Sequence, residues 1–340
     1  FGANLNATTQ WKLGRTSMGV EFRNEGVKSN VLGKPMKEPQ DVPFEKEGQY
    51  LKSDNRSNIS YFLEHNVLLR RFTLSVGVLA NYNSALNEGI HFYPGIDASY
   101  RIGDNVRLYG SWNRALRMPT FTDLYYEGKT NKGNPDLKPE ESEAFEVGLK
   151  YNTYFLRAHI AGFYRKGKNM IDWVKEKPED IWESQNLTKV DNLGFETNLS
   201  LLPRELGNER FFIRKIELGY AFIHQDKDSE GYISNYALDY LKHKFTAQLS
   251  HSIWKGFSAT WYVRWQDRAG SYTKYENLKP AYEEPYAPYC LVDMKVNWEY
   301  QRLNLYAELN NLLNSTYYDL GNIPQPGIWF KAGFRYSFKY

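Results

Sequence analysis

The sequence predicts an all-β fold, an antiparallel transmembrane β-barrel of which about fifteen strands are present. Its last thirteen residues, IWFKAGFRYSFKY, alternate apolar or aromatic residues with charged, polar or small ones. This period of two places one face of a strand against an apolar medium and the other against water. Similar segments recur along the chain, and the connections between them alternate in length. A final strand of this kind would leave an open sheet edge unless it paired with the first strand to close a barrel.

Each expected strand is a run of alternating residues, and FSATWYVRWQDR (257–268) and LNLYAELN (303–310) are the clearest after the last one. In chain order the strands are expected at 3–13, 17–23, 58–67, 72–82, 91–101, 106–115, 144–151, 155–165, 193–202, 213–224, 244–250, 257–268, 291–298, 303–310 and 328–340. No segment approaches the roughly 20 apolar residues of a membrane-spanning helix.

The connections sort by length. Tight turns are expected near residues 14, 70, 104, 152, 255 and 300, and 203–212 is a longer connection in a turn position. Between them lie long polar loops at 24–57, 83–90, 116–143, 166–192, 225–243, 269–290 and 311–327. We interpret 1–340 as one barrel domain with periplasmic turns and external loops. A soluble carbohydrate-binding β-sandwich, the alternative on composition, has no reason to sort its loops in this way.

Composition agrees with a barrel and argues against other classes. The mean hydropathy is −0.65, but only alternate residues of a barrel strand face lipid, so a low value does not exclude the fold. Aromatic residues make up 16% of the chain, which suits aromatic girdles at two membrane interfaces. The net charge of +3 is small, so nucleic acid is not expected as a partner.

The sequence offers no enzymatic site. Six histidines are scattered without the spacing of a metal site, there is one cysteine, and no nucleophile-elbow or phosphate-binding glycine motif occurs. We therefore expect no catalytic residue, no metal site and no cofactor, and we predict that the protein is not an enzyme.

The segment SWNRALRMPTFTDLYYEGKTNKGNPDLKPEESEAFEVGLKY (111–151) carries an ordered set of motifs. It resembles the signature of the TonB-dependent outer-membrane receptors, and the matching residues are Arg117, Pro119, Gly133, Asn134, Pro135, Leu137, Pro139 and Glu140. The aromatic ending, with Tyr336, Phe338 and Tyr340, resembles the family's C-terminal assembly signal. The alternative for the internal motif is that it only fixes the register of a loop and a strand.

The resemblance implies a 22-stranded barrel in the outer membrane of a Gram-negative bacterium, with a plug domain in its lumen. If the last strand is number 22, the first is number 8, so the plug and seven strands are expected to be absent from this chain. The complete small barrel is the alternative. The runs at 21–34 and 234–244 resemble the cobalamin-receptor branch of Bacteroidetes-type bacteria.

Two groups of site residues follow. Aromatic residues of the loops suit a ligand bowl, because they offer a large contact area and a hydrogen-bonding tip. These substrate-binding candidates are Tyr125, Tyr126, Trp173, Trp182, Tyr232, Tyr236, Tyr272, Tyr275 and Tyr282. The alternative is that about half of them belong to the outer girdle or pack the loops. Candidates for lumen contacts with the plug are Arg114, Arg117, Glu146 and Glu196.

The resemblance implies active uptake of a scarce nutrient, with cobalamin as the favoured ligand and a siderophore or haem as the alternative. The implied partners are the missing plug and strands, the TonB–ExbB–ExbD complex, outer-membrane lipid, the barrel assembly machinery and a surface lipoprotein that caps the barrel. A passive pore or structural barrel is the competing class.

Overall fold

The structure is a computed structural model that describes residues 1–86, 89–177, 179–207, 210–228, 231–234, 240–276, 279–321 and 323–338. In the described residues its main sheet has eighteen strands, and fifteen of them, called the long strands, pair one after another along the chain. They are β1 (Gly2–Trp11), β2 (Gly14–Ser29), β3 (Gln49–Leu68), β4 (Phe72–Asn83), β5 (Ile90–Ile102), β6 (Val106–Arg117), β7 (Glu140–Asn152), β8 (Leu156–Lys175), β9 (Trp182–Leu201), β10 (Ile213–Asp228), β11 (Leu241–Ser252), β12 (Phe257–Arg268), β13 (Tyr289–Tyr300), β14 (Leu303–Asn310) and β15 (Trp329–Tyr336).

Every long strand pairs antiparallel with the next one along the chain, from β1 with β2 to β14 with β15. This meander confirms the predicted fold class and the fifteen predicted strands. Within the described residues no pairing joins β1 to β15, so the described sheet is open at these two edges.

The register separates a polar face from an apolar face. Across β6, β7, β8 and β9, Gly110, Val147, Gly162 and Phe195 stand opposite one another on the apolar face. One residue away, Tyr109, Gly148, Ala161 and Glu196 stand opposite one another on the polar face. Since side chains alternate along a strand, the two faces continue over the whole sheet. The polar face lines the lumen of such a barrel, and the apolar face meets lipid.

The connections differ at the two ends of the sheet. At one end, called the short-turn end, β1 and β2 are joined by residues 12–13 and β13 and β14 by residues 301–302. At the other, the long-loop end, lie the connections 30–48, 118–139, 269–288 and 311–328. Of the expected long loops, 166–192 is mostly strand, because β8 and β9 run on as a hairpin to residues 175 and 182.

Short elements decorate the long-loop end. Helix α1 (Phe121–Tyr125) lies between β6 and β7, and a hairpin (Ser271–Glu276, Lys279–Pro285) lies between β12 and β13. Five further strands of the described chain lie at this end: Lys34–Asp41, Asn131–Lys132, Ile233–Ser234, Tyr318–Leu320 and Ile323–Pro324. At the short-turn end, a 3₁₀ turn (Pro203–Leu206) follows β9. None of the described helices is long and apolar enough to cross a membrane.

Buried side chains concentrate at the long-loop end. Leu124, Leu137, Trp173, Val174 and Val190 are all less than a tenth exposed. They come from the 118–139 connection and from the upper parts of β8 and β9. These two parts of the chain thus pack as a small core beyond the apolar band, whereas both faces of the sheet below are largely open.

Candidate ligand-binding loops and lumen surface

The signature residues Arg117 and Glu140 stand directly opposite each other at the ends of β6 and β7. Arg117 donates from Nε and Nη2 to the two carboxylate oxygens of Glu140, over 2.5 and 2.6 Å. Glu140 Oε1 also accepts the backbone N–H of Ile171 in β8, over 2.8 Å. Glu140 is only 8% exposed, so its charge needs these donors. The pair therefore ties three strands together at the base of the 118–139 connection.

Helix α1 is set by a capping box. The backbone N–H of Asp123 donates to Thr120 Oγ1, and the Thr120 N–H donates to Asp123 Oδ2. The amide of Gly133 then reaches Tyr126 O over 2.6 Å, and that of Asn134 reaches Asp123 O over 2.9 Å. A Cβ on Gly133 would lie 2.8 Å from the backbone of Leu124, Tyr125 and Tyr126. Only glycine lets the second half of the connection lie this close to the helix.

The connection is anchored far along the sheet, on β3. Arg56 donates to Pro119 O over 2.6 Å, pairs with Glu25, and places its guanidinium 5.0 Å from the centre of the Phe121 ring. Tyr125 donates its hydroxyl to Asp54 over 2.6 Å. Burial, together with the Asp54 carboxylate, raises the pKa of Tyr125 to about 12. Because β4 and β5 lie between β3 and β6, the connection must fold across the polar side of the sheet.

The remaining signature residues range from buried to exposed. Pro119 and Leu137 are buried, Pro139 is half-buried and Pro135 is exposed, while Asn134 accepts the N–H of Asp136 over 2.9 Å. All of these contacts are made within the protein. The described contacts of the signature thus build the fold of one loop.

A second aromatic group forms between the hairpin and the 311–328 connection. The Tyr272 ring centre lies 5.2 Å from that of Tyr286 and 5.0 Å from that of Tyr318. Tyr272 also donates its hydroxyl to Glu284, which pairs with Lys274 over 2.9 Å. The hydrogen bonds from Lys274 and Tyr272 lower the pKa of Glu284. Beside this group, the Tyr289 and Tyr317 rings lie 4.7 Å apart. The Tyr317–Tyr318 doublet in an expected loop is the sequence signal that could have pointed to this group.

The nine substrate-binding candidates fall into different environments. Tyr275 and Tyr282 are 52% and 53% exposed and Tyr126 is 39% exposed, so their rings are accessible. Trp173 and Tyr272 are 8% and 6% exposed, so they support the loops and present little surface to a ligand. Tyr126 packs edge-on against Trp173, with ring centres 6.4 Å apart, and Lys175 lies over the Trp182 ring. Tyr232 is half-buried, and Tyr236 lies outside the described residues.

On the polar face, a hydrogen-bonded group brings two of the lumen candidates together. Tyr109 donates its hydroxyl to Glu146 over 2.8 Å, and its oxygen lies 2.7 Å from His159 Nε2. His159 Nδ1 lies 3.8 Å from Glu196, and Lys150 lies over the Tyr109 ring. Next to this group is a recess of about 710 Å³, lined among others by Lys150, Arg157, Glu217, Arg264 and Asp293. Its lining suits a charged or hydrogen-bonding occupant.

The other two lumen candidates differ from each other. Arg117 shares the polar face with Tyr109, since it is separated from it by an even number of residues. Arg114 shares the face of Leu108 and Trp112 and pairs with Glu141 over 3.5 Å. The expectation that Arg114 points into the lumen is therefore wrong. Its parity relative to Trp112 was the signal in the sequence.

Of the C-terminal aromatic residues, Tyr336 and Phe338 lie at and just beyond the end of the last strand, which is shorter than the predicted 328–340. Tyr336 ends β15, and its ring lies edge-on to that of Phe338 at 5.0 Å, while Tyr340 lies outside the described residues. In the described part of the chain no group of three or more His, Cys, Asp or Glu side chains could hold a metal ion.

A family model described as "TonB dependent receptor-like, beta-barrel" matches residues 1–312. The chain belongs to this family. Its relatives include the vitamin B12 transporter BtuB of Vibrio vulnificus (strain YJ016), 25% identical over 51% of this chain and 30% of the relative. The ferrienterobactin receptor of Escherichia coli (strain K12) is 22% identical over 79% of this chain and 38% of the relative. The chain is thus located in the outer membrane of a Gram-negative bacterium.

Solved structures support the same fold. A mutant ferric enterobactin receptor of Pseudomonas aeruginosa, in complex with enterobactin, covers 99% of this TonB-dependent receptor chain with a TM-score of 0.74 and 19% identity. The chain spans 54% of that structure and about a third of the curated relatives that it matches. The relatives come from Vibrio, Photobacterium and Escherichia and do not support the expected placement in a Bacteroidetes-type branch. The assignment to strands 8–22 of 22 stays a prediction.

Proposed function

We propose that this receptor takes up cobalamin across the outer membrane by TonB-dependent active transport. The choice of ligand rests on one observation, which is how the basic side chains next to the loop aromatic residues are paired. The cations that touch the loop aromatics are already engaged within the protein. Arg56 pairs with Glu25, Arg117 with Glu140 and Lys274 with Glu284. Lys175 lies over the Trp182 ring and Arg268 over the Tyr286 ring.

Such a surface favours a large uncharged ligand. An iron(III) catecholate carries several negative charges and needs cations that are free to meet it. A corrinoid offers a flat macrocycle and amide groups, which match accessible tyrosine rings and hydroxyls. The kinship with transporters named for vitamin B12 supports the same choice. In this proposal Tyr126, Tyr275 and Tyr282 contact the ligand, while Trp173 and Tyr272 hold the loops.

The transport step follows from the resemblance to the family. The plug would rest against the polar face, where Arg117, Glu146 and Glu196 lie, and the TonB–ExbB–ExbD complex would displace it using the inner-membrane proton gradient. A surface lipoprotein would cap the long-loop end. The assembly machinery would recognise the aromatic ending at Tyr336, Phe338 and Tyr340. Each of these partners is part of the proposal.

The test measures binding of cyanocobalamin to the purified protein in detergent. The double variant Tyr275→Ala/Tyr282→Ala should weaken binding roughly tenfold, because each lost aromatic contact is worth on the order of 0.5–1.5 kcal/mol. The control is Tyr154→Ala, a tyrosine at the short-turn end that is even more exposed. If the double variant binds cyanocobalamin as tightly as the unchanged protein does, Tyr275 and Tyr282 do not contact the ligand.

A second candidate is an iron-chelate receptor. It is favoured by relatives named ferrienterobactin receptor and iron-regulated outer membrane virulence protein. Ferric enterobactin and haem are therefore tested beside cyanocobalamin, and tight binding of either one would replace cobalamin. A passive pore would be indicated by uptake that is unchanged in cells lacking TonB.

A further inference from the structure

The apolar face carries charged residues at the long-loop end of one sector, β6 to β10. The continuous apolar band on that face of β6, β7, β8 and β9 ends at Trp112, Phe145, Tyr164 and Leu193, which stand opposite one another across the sheet. We call them the interface row. Tryptophan and tyrosine at such positions mark the level of the lipid headgroups. Beyond the interface row, single apolar residues such as Leu116 and Met170 occur on the same face among charged ones.

One pleat further on, two residues along each strand, the same face becomes charged. Arg114 stands opposite Glu143, Glu143 opposite Lys166, Lys166 opposite Asp191, and Asp191 opposite Asp226. One further pleat brings Glu141, Lys168 and Lys189 opposite one another. We call these eight residues the charge ladder. It faces outward, because it continues the apolar face.

Side chains of the interface row hydrogen-bond to members of the charge ladder. Trp112 donates its indole N–H to Glu143 over 2.8 Å, and Tyr164 donates its hydroxyl to Asp191 over 2.9 Å. Lys189 lies 3.3 Å from Asp191 and Arg114 lies 3.5 Å from Glu141. Within the described residues Lys166 and Lys168 have no carboxylate within ion-pair distance, although Glu143 and Asp191 flank Lys166 along the ladder. Two ammonium groups are thus available just beyond the aromatic level.

We propose that the charge ladder binds the phosphorylated headgroup of a saccharide lipid in the outer leaflet. The ammonium groups of Lys166, Lys168 and Lys189 would donate to phosphate oxygens. The carboxylates of Glu143 and Asp226 would hold divalent cations that bridge to further phosphates. The acyl chains would lie against the apolar band directly below, at Phe145, Val147 and Ile160.

Free phosphate could make the same contacts with the lysines, but the geometry of the charge ladder favours a lipid. The ladder is an open outward surface with no wall to enclose a small anion. Its lysines begin one pleat from an apolar band that is already in contact with acyl chains. A lipid therefore adds apolar contact and is held at high local concentration, whereas a free anion gains neither.

The experiment uses the protein in nanodiscs of phosphatidylethanolamine, with and without rough-type lipopolysaccharide, and counts bound lipopolysaccharide by native mass spectrometry. The variant Lys166→Gln/Lys168→Gln/Lys189→Gln should bind it roughly a hundredfold more weakly, at about fivefold for each basic residue near the surface. The matched control is Arg165→Gln, the neighbour of Lys166 on the opposite face of β8. It should bind as the unchanged protein does.

The proposal would be overturned if the triple variant bound lipopolysaccharide as well as the unchanged protein does. It would also be overturned if Arg165→Gln lost as much binding as the triple variant. Displacement of the lipopolysaccharide by an equimolar amount of inorganic phosphate would overturn the choice of a lipid. If the triple variant does not assemble, acetylation of the unchanged protein decides instead. Lipopolysaccharide should protect Lys166 and Lys168 but not the exposed loop residue Lys129. None of these outcomes depends on which ligand the receptor transports.

Discussion

Individual residues of the family signature act mainly on one another. The Arg117–Glu140 pair is bidentate and holds the N–H of Ile171 as a third donor, so it links β6, β7 and β8. A planar guanidinium can make two parallel bonds to one carboxylate, which an ammonium cannot do. The planar, bidentate geometry of the Arg117 guanidinium therefore matters in addition to its positive charge.

Replacing Arg117 by lysine should loosen the 118–139 connection. The change keeps the positive charge but removes one of two charge-assisted hydrogen bonds to a nearly buried carboxylate, which costs about 1–2 kcal/mol of docking free energy. Trypsin should then cleave after Lys129 or Lys132 several-fold faster. The control is Arg114→Lys, which alters an exposed 3.5 Å pair on the opposite face. Equal cleavage rates for the two variants would contradict the assigned role.

The Tyr125–Asp54 contact should respond to alkaline pH. The pKa of Tyr125 is raised from 10.0 to about 12, so the folded state favours the neutral phenol. The contact therefore contributes in full below pH 10 and is lost as the pH rises through about 12. Other tyrosines, such as Tyr272, also have a raised pKa, so the ultraviolet titration of Tyr125→Phe is subtracted from that of the unchanged protein. The difference should be one tyrosine that ionises late, and this ionisation should move towards pH 10 in Asp54→Asn. A difference that titrates near pH 10 in the unchanged protein would contradict the contact.

Residue orientation was only partly predictable from the sequence. Glu146, Glu196 and Arg117 follow the expected polar face, because the period-two pattern of β7 and β9 fixes it. Arg114 lies on the other face, because its parity with Trp112 along β6 sets its direction and its charge does not. The burial of Trp173 and Tyr272 could not be foreseen, since it depends on contacts between loops that are far apart in sequence.

At the scale of elements, all fifteen strands were predictable from alternation, but their upper ends were not. Beyond the interface row neither face meets the hydrocarbon of the bilayer, so the hydrophobic period of two fades although the hydrogen bonds between the strands continue. This explains why β8 and β9 extend through the expected loop 166–192. Helix α1 was missed for a different reason. Its capping box, Thr120 to Asp123, was legible in the sequence but lay inside a segment interpreted as loop.

The fold of the 118–139 connection should depend on Gly133. In Gly133→Ala the new methyl group would meet backbone atoms of Leu124, Tyr125 and Tyr126 at 2.8 Å, so helix α1 must move away. Hydrogen exchange of the amides of Gly133 and Asn134, which now bond to the helix, should become faster by an order of magnitude or more, since about 1.4 kcal/mol is tenfold. The control is Gly162→Ala, where the nearest atom is 3.9 Å away. Unchanged exchange in Gly133→Ala would contradict the packing.

At the scale of the whole molecule, the alternating register decides which medium each side chain meets. The same ladder that places Glu146 beside Tyr109 on the polar face places Val147 on the apolar face. One face of the sheet therefore meets water and the other meets lipid, and neither face encloses a hydrophobic core. Stability should thus depend on the match of each face to its medium more than on internal packing.

Arginine placed on adjacent residues of β10 should separate the two faces. Phe222 stands opposite Phe195 on the apolar face, and Ala221 stands opposite Glu196 on the polar face. An arginine on a lipid face costs about 2–4 kcal/mol at the membrane midplane and less towards the headgroups, where Phe222 lies one pleat inside the interface row, and it costs little on a lumen face. Phe222→Arg should therefore lower the folded fraction at a given urea concentration in lipid vesicles, measured by heat-modifiable gel mobility. Ala221→Arg should fold as the unchanged protein does, because its guanidinium enters the water-filled side next to a carboxylate. Equal destabilisation of both variants would mean that the register does not define the lipid face.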